Sequence, residues 1–202
     1  MLLCYAPNSR AVRVAWAMEE LGLDYDVERY TVGDPNLRTP EFRAKNPNGR
    51  VPTLIDGDIT LYESGAIVQY LLAKYSDGSL VPDVGSPEFA SYLQWFHYTE
   101  GMIMPQMNNL VVETILLPPE KASETHAKRA RKLITQILGA VEAHMSDGRD
   151  YIVGDFSGAD FMIGHAVVMS GRLGADLSQY PSLQAYGARC EARPAFQAAE
   201  NK

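Results

Sequence analysis

The sequence predicts a chain of two parts, in which a small mixed α/β domain precedes an all-helical domain. Two observations predict this division. The first 75 residues alternate strand and helix patterns, whereas everything after about residue 87 carries helical patterns only. Between them, residues 77–87 are rich in Asp, Gly, Ser and Pro, a composition typical of a linker. We therefore predict one domain over residues 1–76 and a second over residues 88–202.

The first domain has the predicted order β-α-β-α-β-β-α. Its predicted elements are strand 2–6, a helix opened by Pro7-Asn8-Ser9 and ended by Gly22, strand 25–30, helix 40–45, strands 51–55 and 59–62, and helix 63–75. The strand–helix–strand crossover predicts parallel pairing of the first two strands. Asp56-Gly57, a dipeptide typical of tight hairpins, predicts an antiparallel edge made by the last two.

The second domain carries the clearest helical periodicity, between Ala130 and Val141. A long helix is predicted over residues 88–117, with a kink or break at Pro105. Ser157-Gly158-Ala159-Asp160 is typical of a capping box, and Phe156 and Phe161 flank it at the positions of a hydrophobic staple. Pro181 and Pro194 are expected to open two further helices.

Composition excludes several classes of protein. The 202 residues are 46% apolar and 21% charged, as in an ordinary globular chain, and the net charge is −7. No basic cluster stands apart, so we expect no nucleic-acid partner. No apolar run is long enough to span a membrane, and no signal peptide is evident. The only two cysteines, Cys4 and Cys190, form no disulfide framework, so a cytoplasmic location is expected.

Common catalytic motifs are missing from the sequence. There is no Gly-rich dinucleotide or phosphate loop, no H-E-x-x-H and no G-x-S-x-G. The four histidines lie on different predicted helical segments without ligand spacing, so we predict no metal site and expect surface or capping roles for them.

Three short segments of the first domain, taken together in their order along the chain, indicate a candidate functional site. Ser9-Arg10 stands where the first strand turns into a helix, Arg50-Val51-Pro52 opens the third strand, and Glu63-Ser64 opens the third helix. The stretches NPNGRVPTL and LYESGAIVQYL are similar to a pattern of the cytosolic glutathione transferases, and Ser157 to Asp160 resembles the helix cap of that family. The resemblance is to serine-type, theta-like bacterial members and covers nearly the whole chain. It implies a thioredoxin-like domain followed by an all-helical domain.

The resemblance implies that glutathione, as co-substrate, binds in the first domain. A cis bond between Val51 and Pro52 would present the Val51 backbone to an extended peptide as an added strand, although the residues alone also allow a trans proline that starts a strand. Ser64, at a helix N-terminus, suits the γ-glutamyl carboxylate, with simple capping as the alternative. Glu63 is assigned to the ammonium group or to fixing the loop. Arg50 is assigned to the glycyl carboxylate, and Arg38 is expected to be solvated.

Ser9 is the predicted catalytic residue. At a helix start its hydroxyl can donate to a thiolate, and the helix dipole adds to that stabilisation. Capping the helix is the alternative role and is compatible with catalysis. The spacing Ser9-x-x-x-Arg13 resembles the serine-type enzymes. Asn8 is left open as a residue that shares or replaces this role and Tyr5 as a competitor, whereas Cys4, within a strand, is predicted to be inert.

The leading functional prediction is a glutathione transferase, needing neither metal nor nucleotide, whose thiolate attacks a small apolar electrophile in detoxification. Tyr98, Met102 and Met104 are candidates for the electrophile pocket, although Met at helical spacing is more often core. The same fold also supports glutathione-dependent isomerisation, ether cleavage, dehalogenation and peroxide reduction. A non-catalytic scaffold and a thiol–disulfide oxidoreductase are the rival hypotheses. Family likeness also implies a homodimer.

Overall fold

The computed structural model describes residues 1–202, which divide into two compact units. The first unit comprises Met1–Val81 together with Ala192–Lys202, and the second comprises Pro82–Glu191. The chain leaves the first unit after Val81, which lies within the predicted linker of residues 77–87. The end of the chain differs from the predicted second domain of residues 88–202, because Ala192–Lys202 fold with the first unit.

The first unit contains four strands and three main helices, which follow one another in the predicted order β-α-β-α-β-β-α, and the C-terminal helix is added to them. The elements are β1 Leu2–Tyr5, α1 Ala11–Glu20, β2 Asp26–Arg29, a 3₁₀ turn Pro35–Arg38, α2 Pro40–Lys45, β3 Thr53–Asp56, β4 Ile59–Tyr62 and α3 Ser64–Tyr75. The sheet order is β2-β1-β3-β4. β1 pairs in parallel with β2, whereas β3 runs antiparallel to both β1 and β4. The parallel crossover and the antiparallel edge are thus both confirmed.

The last helix of the chain, α9 (Pro194–Glu200), packs on α1 within the first unit. The rings of Trp16 and Phe196 meet edge to face, with centroids 4.8 Å apart. Arg193 Nη2 donates to the Glu20 carboxylate at 2.9 Å, and the Nε of the same guanidinium donates to the other oxygen. These apolar and ionic contacts explain why the C-terminal segment belongs to this unit.

The second unit is entirely helical apart from short bridges in one loop. Its elements are α4 Glu88–Tyr98, a π-helical segment Thr99–Ile103, α5 Met104–Val111, a second π-helical segment Val112–Leu116, α6 Glu124–Met145, α7 Gly158–Arg172 and α8 Pro181–Glu191. The break predicted at Pro105 takes the form of the first π-helical segment, which ends just before the α-helix containing this proline. No helix in the chain combines the length and the apolar character needed to cross a membrane.

Helix α7 is the buried centre of the second unit and begins as predicted. Ser157 and Asp160 form a complete capping box, and the rings of Phe156 and Phe161 lie 5.3 Å apart as the staple. The helix is buried from Gly158 to Ser170. Both helices predicted to open at prolines, α8 at Pro181 and α9 at Pro194, are confirmed.

Candidate functional site

One end of the sheet positions the predicted site. Cys4 of β1 pairs with Thr53, the first residue of β3, and Thr53 pairs with Tyr62, the last residue of β4. The predicted segments adjoin these strand ends: the turn after β1, Val51–Pro52 before β3 and Glu63–Ser64 after β4. The topology of the sheet therefore gathers segments that are far apart in the sequence.

Ser9 lies in the turn between β1 and α1 and is half-buried. Its hydroxyl donates a hydrogen bond to the carbonyl oxygen of Ala6 at 2.7 Å and accepts one from the backbone N–H of Ala11 at 3.1 Å. The hydroxyl thus accepts a hydrogen bond from the first residue of α1, which agrees with the alternative role of capping this helix. It lies at the positive end of the helix dipole. The neighbouring Asn8 is exposed and has a φ of 56°, in the left-handed region that short polar residues tolerate.

Tyr5 has a different partner and does not compete with Ser9. Its hydroxyl donates to the carbonyl oxygen of Ala199 in α9 at 2.9 Å, and the side chain is fully buried. Burial raises the pKa of Tyr5 to about 12. A phenol that is buried and bonded to α9 is not free to donate to a thiolate.

Val51 offers a backbone edge at the entrance to β3. The Val51–Pro52 peptide bond is cis, and the backbone N–H and C=O of Val51 form no hydrogen bond within the chain. The Asn46 amide fixes the segment by donating to the carbonyl of Arg50 at 2.8 Å and to the hydroxyl of Thr53 at 3.1 Å. An extended peptide can therefore pair with Val51 without displacing an existing bond.

The loop before Val51 carries the arginine expected to meet a carboxylate. Gly49 has a φ of 61°, and a Cβ on it would lie only 2.6 Å from the carbonyl oxygen of Leu37, so this close approach requires glycine. Arg43 Nε also lies 3.8 Å from that Cβ position. The side chains of Arg38, Arg43 and Arg50 are exposed and form no ion pair.

Glu63 and Ser64 stand at the start of α3. Glu63 is exposed and has a φ of 76°, a strained value for a residue with a Cβ. Ser64 is buried and is the first helical residue, and no side chain caps the N–H groups of this helix. The capping alternative for Ser64 is therefore not observed. Its hydroxyl instead accepts a hydrogen bond from Nη1 of Arg13 at 3.4 Å.

Arg13 is a further residue of this site, and the sequence alone predicts no role for it. It lies in α1 and is fully buried. A buried guanidinium is costly unless it has partners, and here it brings positive charge to Ser64 and the N-terminus of α3. The signal in the sequence was a single arginine within the otherwise apolar stretch AVRVAWAM.

Cys4 has the environment of an unreactive thiol. It is buried in β1, and its Sγ lies 3.6 Å from Glu28 Oε2, a carboxylate that also binds Lys45 and Tyr30. Burial, with a further contribution from Glu28, raises the pKa of the Cys4 thiol to about 12. Cys190 is also buried, and both thiols are free. These observations favour the inert role for Cys4 and weigh against thiol–disulfide exchange.

The three candidates for the electrophile pocket differ in exposure. Met104 is buried, and the hydroxyl of Tyr98 donates to the carbonyl oxygen of Ile137 at 3.0 Å. Met102, in the first π-helical segment, is 46% exposed. Met102 is therefore the most exposed of the three.

One expectation about the histidines is wrong. His165 is 2% exposed in the buried stretch of α7, so it has neither a surface nor a capping role. His97 and His126 are exposed. No group of three or more His, Cys, Asp or Glu side chains is arranged to hold a metal ion.

The fold and the site define a class of two-unit proteins, in which a thioredoxin-like unit with an unpaired backbone edge at Val51 is followed by a helical unit. Residues 3–79 match the family model described as glutathione S-transferase, N-terminal domain, and residues 103–194 match the model of the C-terminal domain. The chain belongs to the glutathione S-transferase family.

Individual relatives resemble the chain over nearly its full length. A Zea mays protein named glutathione S-transferase 3 is 33% identical over 207 residues, covering 95% of this chain and 88% of that protein. A crystal structure of a glutathione transferase homologue from Lodderomyces elongisporus, with two glutathione molecules per subunit, has a TM-score of 0.88 and 25% identity, covering 99% and 97% of the two chains. The theta class enzyme of Xanthomonas axonopodis pv. citri, with glutathione bound, has a TM-score of 0.86 and 30% identity, covering 100% and 97%.

Proposed function

We propose that this chain is a glutathione transferase, which binds glutathione in its first unit, activates the thiol and directs the thiolate at a small apolar electrophile. The observation that carries the proposal is the open arrangement at one sheet end. There the backbone of Val51 is unpaired and the uncapped start of α3 has Arg13 bonded to Ser64. An extended anionic peptide satisfies both features. Family membership identifies that peptide as glutathione.

Each part of glutathione has a counterpart in this unit. The γ-glutamyl carboxylate binds the hydroxyl of Ser64 and the N–H groups at the start of α3, with the positive charge of Arg13 behind them. Glu63, exposed beside this position, takes the ammonium group. The cysteinyl backbone pairs with Val51, and Arg50, which has no ion-pair partner, receives the glycyl carboxylate.

Ser9 lowers the pKa of the bound thiol by donating its hydroxyl hydrogen to the thiolate. In the structure this hydrogen is directed at the carbonyl of Ala6, so the bond to the thiolate replaces a bond already made. Lowering a thiol pKa of about 8.5 by two units requires roughly 2.7 kcal/mol, a stabilisation that a charge-assisted bond with the helix dipole can approach. The exposed amide of Asn8 is the neighbour that shares this role.

The second substrate is a small apolar electrophile, and Met102 is the residue we assign to its pocket, because a flexible thioether adapts to varied apolar shapes. We propose conjugation in detoxification as the activity, in a serine-type, cytoplasmic enzyme that acts as a homodimer. Solution scattering then gives a mass about twice the 22.3 kDa of the chain. A mass equal to that of one chain contradicts the dimer.

Titration of bound glutathione tests the proposal directly. The ultraviolet absorbance of the thiolate is followed against pH for the unmodified protein, for Ser9→Ala and for Ser178→Ala, an exposed serine of the other unit. We expect the bound thiol to titrate about two units below 8.5 and to rise by about one unit or more in Ser9→Ala only. Failure of glutathione to bind contradicts the proposed function and leaves the scaffold hypothesis.

Asn8→Ala, measured in the same way, divides the role between the two residues. A thiol pKa that rises with Asn8→Ala and not with Ser9→Ala transfers the donor role to Asn8. Equal rises in both variants show that the two side chains share the thiolate.

A further inference from the structure

Glu28, on the edge strand β2, binds two side chains that lead toward the loop before β3. Its Oε2 accepts a hydrogen bond from Nζ of Lys45, the last residue of α2, at 2.6 Å. Its Oε1 accepts a hydrogen bond from the hydroxyl of Tyr30. The bond from Lys45, followed by that from Tyr30, lowers the pKa of Glu28, so the carboxylate is charged at neutral pH. No step of the proposed function uses this carboxylate.

The bond to Lys45 fixes the end of α2, where the loop before β3 begins. The next residue, Asn46, is buried. Its Nδ2 donates to the carbonyl oxygen of Arg50 at 2.8 Å, and its Oδ1 accepts a hydrogen bond from the backbone N–H of Asn48 at 3.0 Å. Asn46 thereby holds the backbone of Arg50 in place. The position of Lys45 is thus passed on to Arg50 through one buried side chain.

Tyr30 provides a second, apolar connection between Glu28 and α2. Its ring meets that of Phe42 in α2 edge to face, with centroids 5.1 Å apart. Phe42 belongs to a small buried cluster against which Tyr30 and Val51 both pack. Because the Tyr30 hydroxyl is bonded to Glu28, the carboxylate also orients the ring that packs on α2. Helix α2 is therefore held to β2 by an ion pair at its end and by an aromatic contact nearer its start.

We propose that Glu28 is a positioning residue for glutathione, which anchors α2 and the loop after it and so places Arg50 to receive the glycyl carboxylate. The inference rests on the proposed function, in which Arg50 binds that carboxylate. The side chain of Arg50 is exposed and forms no ion pair, so its placement depends on its backbone. Without the anchor, α2 and the loop must become ordered when glutathione binds, and this ordering lowers the affinity.

The direction of the effect separates positioning from direct electrostatics. Glu28 and the glycyl carboxylate are both negatively charged, so removal of the Glu28 charge strengthens binding if charge alone acts through space. Positioning predicts the opposite, because the neutral variant releases Lys45 and α2. The loss is also confined to the glycyl end, since the γ-glutamyl carboxylate binds at the start of α3, outside this network.

Calorimetric titration of glutathione and of its glycyl monoethyl ester tests the proposal. The ester keeps the γ-glutamyl and cysteinyl parts and lacks the glycyl charge. We expect Glu28→Gln to weaken binding of glutathione about fivefold and that of the ester less than about twofold, a modest effect because the ion pair is partly exposed. Glu41→Gln is the matched control, because it removes an exposed carboxylate of α2 that forms no ion pair. This control is expected to bind both ligands as the unmodified protein does.

Lys45→Met adds a double-variant test, because it breaks the same ion pair from the other side and keeps the apolar stem. We expect it to weaken glutathione binding on its own and to have no further effect when combined with Glu28→Gln. Thermal unfolding shows whether each variant is folded. If Glu28→Gln is not, Lys45→Met is titrated with the two ligands in its place, with the same preferential loss for glutathione expected.

Three results overturn the proposal. One is equal weakening of glutathione and ester binding in Glu28→Gln, which gives Glu28 a general structural role. Another is unchanged or tighter binding of glutathione in this variant, which shows that α2 needs no anchor. The third is a loss in Lys45→Met that is the same with and without Glu28→Gln, which makes Lys45 a direct ligand of the carboxylate. Failure of the unmodified protein to bind glutathione is a different result, because it contradicts the proposed function itself and this inference with it.

Discussion

The hydroxyl of Tyr5 donates a hydrogen bond to the carbonyl oxygen of Ala199, 194 residues further along the chain. Tyr5 ends the strand that leads into the turn of Ser9, and Ala199 lies in the last turn of α9. The C-terminal helix is therefore a structural part of the unit in which we place the glutathione site. Its packing supports α1, the helix that begins just after Ser9.

Phe196→Ala is expected to lower the free energy of unfolding by roughly 3–5 kcal/mol, since it removes a fully buried ring that packs on Trp16. Chemical denaturation measures the change. Gln197→Ala, an exposed neighbour on the same helix, serves as the control and should change stability by less than about 0.5 kcal/mol. Equal stability of Phe196→Ala and the unmodified protein would show that α9 does not contribute to the fold of the first unit.

Arg13→Gln is expected to weaken glutathione binding about tenfold or more, because it removes the buried charge beside Ser64. Calorimetric titration of glutathione measures the affinity. Since the variant also changes a buried contact, its thermal unfolding is measured alongside, and only the folded variant is titrated.

Arg13→Lys is the matched variant, because it keeps the charge and loses the planar guanidinium. We expect it to restore part of the affinity lost in Arg13→Gln. If both folded variants bind glutathione as tightly as the unmodified protein, Arg13 has only a structural role and the γ-glutamyl carboxylate binds elsewhere.

Local signals in the sequence predicted most of the fold. The capping box of Ser157 and Asp160, the prolines that open α8 and α9, and the Asp56-Gly57 hairpin depend on contacts within a few residues. Such contacts are visible as spacing. The segments of the candidate site were found by their order, and the pairing of the strands then brought them to one end of the sheet.

The contacts that the sequence did not predict are those between distant residues. Arg13 meets Ser64 across 51 positions, and Tyr5 meets Ala199 across 194, so no periodicity indicates either pair. His165 was misplaced for a different reason. Its helix is apolar on nearly all sides, a pattern that itself predicts burial, but the role of the histidine was judged from its residue type and not from the helix that carries it.

Asp56→Asn is expected to destabilise the first unit by about 1 kcal/mol at neutral pH. Oδ2 of Asp56 accepts hydrogen bonds from Lys74 at 2.8 Å, Tyr70 at 2.7 Å and Tyr75, and the Lys74 bond contributes most to lowering the Asp56 pKa. A carboxyl group whose pKa is lowered by folding stabilises the fold at pH values above its pKa in the unfolded state. This stabilisation is lost as the pH falls. The difference from the unmodified protein should therefore shrink below about pH 4. Asp58→Asn, on the same hairpin and exposed, is the control.

Asp160→Asn tests a carboxyl group whose pKa is raised, whereas that of Asp56 is lowered. Asp160 is completely buried at the start of α7. Its oxygens accept hydrogen bonds from the backbone N–H groups of Ile152 and Ser157 and from the hydroxyls of Ser157 and Tyr186. An asparagine turns one N–H₂ group toward these donors, so we expect a loss of about 2–3 kcal/mol at neutral pH. Denaturation of the variant and of Asp155→Asn, an exposed residue of the preceding loop, measures it.

The pH dependence of the same variant tests which force determines the Asp160 pKa. Burial, the largest cause, raises it to about 6 despite the four hydrogen bonds. Between its unfolded value near 4 and the folded value, the folded state then holds a proton that the unfolded state releases. The unfolding free energy of the unmodified protein should therefore fall by roughly 2 kcal/mol relative to Asp160→Asn as pH rises from 4 to 7. A relative gain over this range would mean that the hydrogen bonds to the carboxylate outweigh its burial.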